Sequence, residues 1–282
     1  MPKITMEKLP QQLHIKVPQI TGFNNKPMGP FSDSYYNIYV MSKKKSGKTV
    51  VIINLIQQVF LKECNDIYIF SSTINKDPQY KYLQDINDEN IEIEEQKAAV
   101  KDEKPKIVEW TPVKKRSTGK KPPALMHFYD TLGDPKDEQG ELNEVLDELI
   151  FGADQGVPKE SVIIYDDMGE QLTKNKRIGE FAKQNRHSHC TVLYSCQYYV
   201  QLPPGARSQM DCAIIFKGQS EDIMKKIHSG FDIALDFDIF YTLYKKATEK
   251  DFQFFFIDIR KGEFRIGFNT KFNIIDDEDE EE

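Results

Sequence analysis

The chain has 282 residues, of which 39% are hydrophobic and 29% charged, enough for one full-sized core and ordinary for a globular protein. Its formal net charge of −7 is matched by seven consecutive acids at residues 276–282, so the first 275 residues are neutral in sum and the acidity does not exclude a nucleic-acid partner. No apolar run approaches the ~20 residues of a bilayer span, and the opening MPKITMEKLPQQ lacks the apolar heart of a secretory leader, so the expectation is a soluble protein with no membrane span.

Residues 1–34 are polar, contain five prolines and read as an extended lead-in. A short β-type run follows at 36–40 (YNIYV), then SKKKSGKT, then an apolar stretch at 50–61 (VVIINLIQQVFL) dense enough for a buried helix. Residues 66–70 (DIYIF) read as the next strand. The pattern then breaks: six acids and no bases lie between Asp85 and Glu95, and eight bases against three acids between Lys101 and Lys121. Residues 85–123 are therefore expected to be a charged insertion or a long surface loop, partly mobile, rather than core.

Order returns with a strand at 125–129 (LMHFY), a helix near 141–151 and a strand at 162–165 (VIIY) that ends in Asp166-Asp167. Further on come a helix at 177–183, strands at 191–195 (TVLYS) and 212–216 (CAIIF), and helices at 220–228 and 235–248. Two β runs at 252–259 and 263–268 flank Lys261-Gly262 and predict a C-terminal β-hairpin. The tail at 276–282 is expected to be disordered. Short apolar strands alternating with helices predict an α/β domain over residues 35–275, its mostly parallel sheet covered on both faces. The four cysteines form no CxxC pair, which points to reduced thiols in an intracellular compartment. His187, His189 and Cys190 lack the further partners a zinc site needs and read as packing at the start of a strand.

Gly47-Lys48-Thr49 is the sharpest signal. A phosphate-binding loop points backbone N–H groups inward at a helix N-terminus, which requires a small residue where phosphate and backbone nearly touch. Gly47 supplies it, Lys48 would reach the β- and γ-phosphates and the Thr49 hydroxyl would ligate Mg²⁺. The usual first glycine of GxxxxGK[ST] is Ser42, and Lys43, Lys44, Lys45 and Ser46 lie between, so the nucleotide-binding set is Ser42, Lys45, Ser46, Gly47, Lys48, Thr49 and Val50. Asp166-Asp167, at the end of an apolar strand about 115 residues downstream, is the pair an NTPase places opposite that loop. By position Asp166 serves the metal and Asp167 is the candidate base; Glu170, one turn on, is the reserve.

The run NRHSHC before strand TVLYS, Gln197 after it, the turn LPPGAR at 202–207 and FKG at 216–218 together resemble the genome-packaging ATPases of large DNA viruses and their virophage and polinton-like relatives, within the FtsK–HerA superfamily. The likeness covers about residues 35–220, with DD in place of the usual DE. It implies a RecA-like P-loop core, ATP and Mg²⁺ as ligands, and a homo-oligomeric ring (pentamer or hexamer) translocating double-stranded DNA. Capsid vertex or portal proteins would be partners, and the host cytoplasm, virus factory or virion the place of action. Gln197 matches the family's polar sensor. Arg186 and Arg207 both match arginines of the motif, either of which would act across a subunit boundary. The basic stretch at 114–121 reads as a solvated loop, with phosphate contacts in a ring channel as the other reading. A small-molecule kinase and a nucleotide-dependent scaffold are the competing functions; the first lacks an arginine-rich lid, and the second is kept open by Ser42.

Overall fold

The computed structural model describes residues 27–102, 124–134 and 140–274. The strands are β1 (Asn37–Met41), β2 (Asp66–Ser71), β3 (Leu125–Tyr129), β4 (Ser161–Asp166), β5 (Cys190–Cys196), β6 (Cys212–Phe216), β7 (Phe254–Asp258), β8 (Glu263–Ile266) and β9 (Thr270–Lys271). They form one sheet in the order β3-β2-β4-β5-β1-β6-β7-β8-β9. The pairings from β3 through to β6 are parallel, and those from β6 to β9 are antiparallel. β7 and β8 form the C-terminal hairpin expected from the sequence.

Every residue of β1, β2, β4, β5 and β6 is buried, as parallel strands covered on both faces must be. The period of two sends alternate side chains to separate cores. Ile38, Val40, Ile67, Ile69, Val162 and Ile164 face one side, where α1 (Lys48–Leu55), a π-helical continuation at Ile56–Phe60 and α3 (Pro78–Asp102) cover them. Between those helices lies the single turn α2 (Leu61–Glu63). Tyr39, Met41, Tyr68, Phe70, Ile163 and Tyr165 face the other side, under α4 (Glu141–Asp154), α5 (Gly169–Lys174) and α6 (Lys176–Gln184). The same layer takes in α7 (Pro204–Arg207), α8 (Glu221–Gly230) and α9 (Phe237–Ala247).

Over its first part the charged segment is not the loop that was one of its two readings. Residues 85–102 continue α3 rather than forming a loop, and Tyr80, Leu83 and Asn87 are buried along one face of it. Asn87 accepts the backbone N–H of Met126 at 2.9 Å, which ties the helix to β3. Residues 103–123, with the basic stretch 114–121, lie outside the described residues, as do residues 1–26 and the acidic tail.

The end of the polar lead-in is built into the domain. Met28 and Phe31 are buried, Ser32 donates to Asp258 at 2.6 Å, and Asp33 pairs with Arg260 at 3.0 Å. Among the described residues no helix is long and apolar enough to cross a membrane.

Candidate functional site

The C-terminal ends of parallel strands are where an open α/β sheet gathers ligand-binding loops. Here β1 lies between β5 and β6, and β4 lies on the far side of β5, so the loops after β1, β4 and β5 emerge side by side. The backbone N–H of Ser42 donates to Cys196 and that of Asp167 to Ser195, at 3.3 Å each, so both motifs are registered on the end of β5.

The loop from Ser42 to Gly47 turns the chain from β1 into α1. Lys45 (φ 65°) and Gly47 (φ 93°) are left-handed, and Gly47 directly precedes the first turn of the helix. Glycine is needed at the second of these, where a side chain would both strain the backbone and crowd Phe252 at 3.3 Å. Ser42, in the position of the usual glycine, is buried without a left-handed backbone, so serine meets no conformational penalty there.

Lys48 is buried and its Nζ lies 2.5 Å from Asp167 Oδ1 and 3.0 Å from Asp166 Oδ1. Burial alone would lower its pKa, but the two carboxylates outweigh that and hold it above the ordinary lysine value, so it is a cation at neutral pH. Asp166 is 1% exposed. Its Oδ1 accepts from Ser195 at 2.6 Å and its Oδ2 from Tyr80 at 2.7 Å. Burial raises the Tyr80 pKa well above its usual value, so the phenol stays a donor. Asp167 is different. Its φ of 54° swings it off the end of β4 into the open cleft, where Gln197 Nε2 donates to its Oδ1 at 3.3 Å.

The cleft, about 440 Å³, is lined by residues 42–50 together with Gln79, Asp167 and Gln197. It brings together every member of the expected binding set and three of the expected catalytic residues, Lys48, Asp167 and Gln197. Within it or against it, the Oγ atoms of Ser42 and Ser46 are buried without a hydrogen-bond partner. Two orphaned hydroxyls, a buried cation and a left-handed glycine at a helix start are the fittings of an anion cradle.

Other expected residues lie elsewhere. Glu170 is exposed in the first turn of α5, outside the cleft lining. Arg186 sits before β5, at the opposite end of the sheet from Lys48, and donates to Asp211 at 2.8 Å. Arg207 donates to the carbonyls of Leu202 (2.9 Å) and Val200 (3.1 Å) and covers the Tyr199 ring, bracing its own turn. Neither arginine reaches the cleft.

Sequence reasoning missed Tyr80, Ser195 and Gln79. Ser195 carried a signal: it is the polar residue near the end of an apolar strand, and the β4–β5 register sets it directly opposite Asp166. Tyr80 and Gln79 carried none, because they stand beside a region read as an insertion. Cys196 also lies close to Lys48, but burial pushes its thiol up to about 12, which excludes a thiolate nucleophile at neutral pH.

Residues 141–234 match the family model of the Poxvirus A32 protein. A comparison with curated protein sequences returns no match. Among solved structures, the genome-packaging NTPase B204 of Sulfolobus turreted icosahedral virus 2, in complex with sulfate, aligns at a TM-score of 0.50 with 14% identity, covering 86% of this chain and 98% of that one. The DNA-packaging ATPase B204 of Sulfolobus turreted icosahedral virus aligns at 0.50 with 15% identity and the same coverage. The fold is that of P-loop NTPases. The family match bears out the resemblance to viral genome-packaging ATPases drawn from the sequence, and the shared fold bears out the P-loop core that it implied.

Proposed function

We propose that this chain is an ATP-hydrolysing translocase that packages a viral double-stranded DNA genome into its capsid, working as a homo-oligomeric ring. The observation that carries the reading is the meeting of Lys48, Asp167 and Gln197 in one cleft at the ends of neighbouring strands.

In this reading the backbone of residues 42–48 and the Lys48 ammonium hold the triphosphate, with the hydroxyls of Ser42 and Ser46 supplying further donors. Mg²⁺ would be held by the Thr49 hydroxyl and, through water, by Asp166, and would supply charge neutralisation between the phosphates. Ser195 and Tyr80 fix the Asp166 carboxylate and so set the direction from which it acts. Asp167 accepts the proton of the attacking water, and Gln197, bonded to the same carboxylate oxygen, orients that water and senses the terminal phosphate.

Phosphate release by the purified protein, with and without duplex DNA of increasing length, tests the reading. We expect stimulation that grows with DNA length. A phosphorylated metabolite would instead identify a kinase, and binding without turnover a scaffold.

Of the two arginines, we propose Arg186 as the residue that acts on the neighbouring subunit's nucleotide. Asp211 keeps the backbone N–H of Asn37 (2.7 Å) and Arg260 Nε (2.6 Å) when Arg186 leaves, whereas Arg207 is tied to its own turn. Arg186→Ala is therefore expected to fold and bind ATP like the native chain, while hydrolysis drops by about 10³-fold or more. Native turnover per subunit should rise with protein concentration as rings form. Unchanged turnover in Arg186→Ala would move the role to Arg207, and concentration-independent turnover would remove the shared site altogether.

A further inference from the structure

Phe252 is the exposed aromatic that stands against the phosphate loop. It is 70% exposed and lies in the left-handed region at φ 64°, a conformation that costs a bulky side chain about 1 kcal/mol or more. A side-chain carbon placed on Gly47 would come within 3.3 Å of Phe252 Cδ1 and 3.9 Å of its Cβ, so the ring borders the loop at its glycine. The segment that carries it is braced. Lys217 Nζ donates to the Glu249 carbonyl at 2.9 Å and to Asp251 Oδ1 at 3.3 Å, and Phe254, two residues on, packs against Phe216 at a 5.4 Å ring separation.

Two facts about this ring call for an explanation: a large apolar side chain is kept in water, and the backbone is strained to hold it there. Packing explains neither, because the ring is outside both cores. Its position does. Asp167 and Gln197 approach the phosphate loop from the β4–β5 side of β1, whereas Phe252 approaches from the β6–β7 side. A nucleotide whose terminal phosphate lies at Lys48 and Asp167 directs its other end away from those acids, toward the side where Phe252 stands. Val50, half-exposed, gives the cleft wall an apolar side chain of its own.

We infer that the Phe252 ring is the stacking platform for the nucleobase. The inference rests on the nucleotide reading of the cleft and adds the residue that receives the base. Because every base offers a π-face, a lone phenyl platform favours purines over pyrimidines by stacking area and does not select among purines by hydrogen bonding.

The test compares ATP with inorganic tripolyphosphate, which carries the phosphates and no base. Binding of each is measured by calorimetry for the native chain, Phe252→Ala and Phe252→Trp. Base–aromatic stacking contributes about 5- to 150-fold in affinity. Phe252→Ala is expected to lose at least about fivefold in ATP affinity, Phe252→Trp to keep it, and tripolyphosphate to bind all three equally. Indole emission from Phe252→Trp should respond to ATP and not to tripolyphosphate, with the native chain and its single tryptophan, Trp110, as reference. Equal ATP affinity in native and Phe252→Ala protein, with tripolyphosphate still bound, overturns the platform and leaves the phosphate site standing. Loss of both ligands in Phe252→Ala also overturns it, since the ring would then support the loop rather than the base. Failure of the native chain to bind either ligand overturns the nucleotide site itself.

Discussion

Asp167→Asn should bring ATP hydrolysis down by about 10²- to 10⁴-fold, the range a positioned general base supplies, while ATP affinity stays within a few-fold of native. The substitution is nearly isosteric, and the amide oxygen can still accept from Gln197, so the end of β4 keeps its geometry. Lys48 loses one carboxylate and keeps Asp166 at 3.0 Å, so the buried cation is not orphaned. What disappears is proton-accepting capacity at the one carboxylate of the pair that opens into the cleft. Single-turnover phosphate release measured beside equilibrium nucleotide binding separates the two effects. Turnover near the native rate would transfer the base role to Glu170, whose exposed place on α5 would then have to move toward the cleft.

Lys48→Ala should act on two readouts at once. Hydrolysis becomes undetectable and ATP binding weakens by about two orders of magnitude, because the cation that meets the phosphates is gone. The second readout is stability without nucleotide. Asp166 is fully enclosed, and removing its cation leaves a buried carboxylate held only by the Ser195 and Tyr80 hydroxyls. Breaking one side of a buried ion pair costs about 3–5 kcal/mol, here moderated by those two donors. A melting temperature several degrees lower is expected, and Asp166→Asn in the same chain should restore most of it without restoring hydrolysis. If Lys48→Ala melts and binds ATP like the native chain, the cluster has no part in either function.

The parts of the site that sequence made legible are those whose logic is local. Gly47-Lys48-Thr49 needs only its own backbone and the helix after it, and Asp166-Asp167 announces itself as paired acids closing an apolar strand. The hairpin around Lys261-Gly262 was equally local. Features that depend on register were not legible. Ser195 becomes a partner of Asp166 only once β5 is known to lie beside β4. The helical start of the charged segment was hidden for another reason: Tyr80, Leu83 and Asn87 keep an i, i+3, i+7 spacing, but the six acids that follow dilute the apolar periodicity. Arg186 shows the limit of motif reading. The motif offered it for catalysis, but its position at the far end of β5 means that any such role must be exercised on a neighbour.

The ties between Ser32 or Asp33 and the β7–β8 turn link distant parts of the chain. Ser32 grips Asp258, the last residue of β7, and Asp33 grips Arg260 just beyond it. Phe252 precedes the first residue of that same strand. The two ends of β7 are thus moored to different parts of the molecule, one to the lead-in and one beside the glycine of the phosphate loop. β7 therefore bridges the end of the lead-in and the neighbourhood of Gly47, held along its length by β6 on one side and β8 on the other.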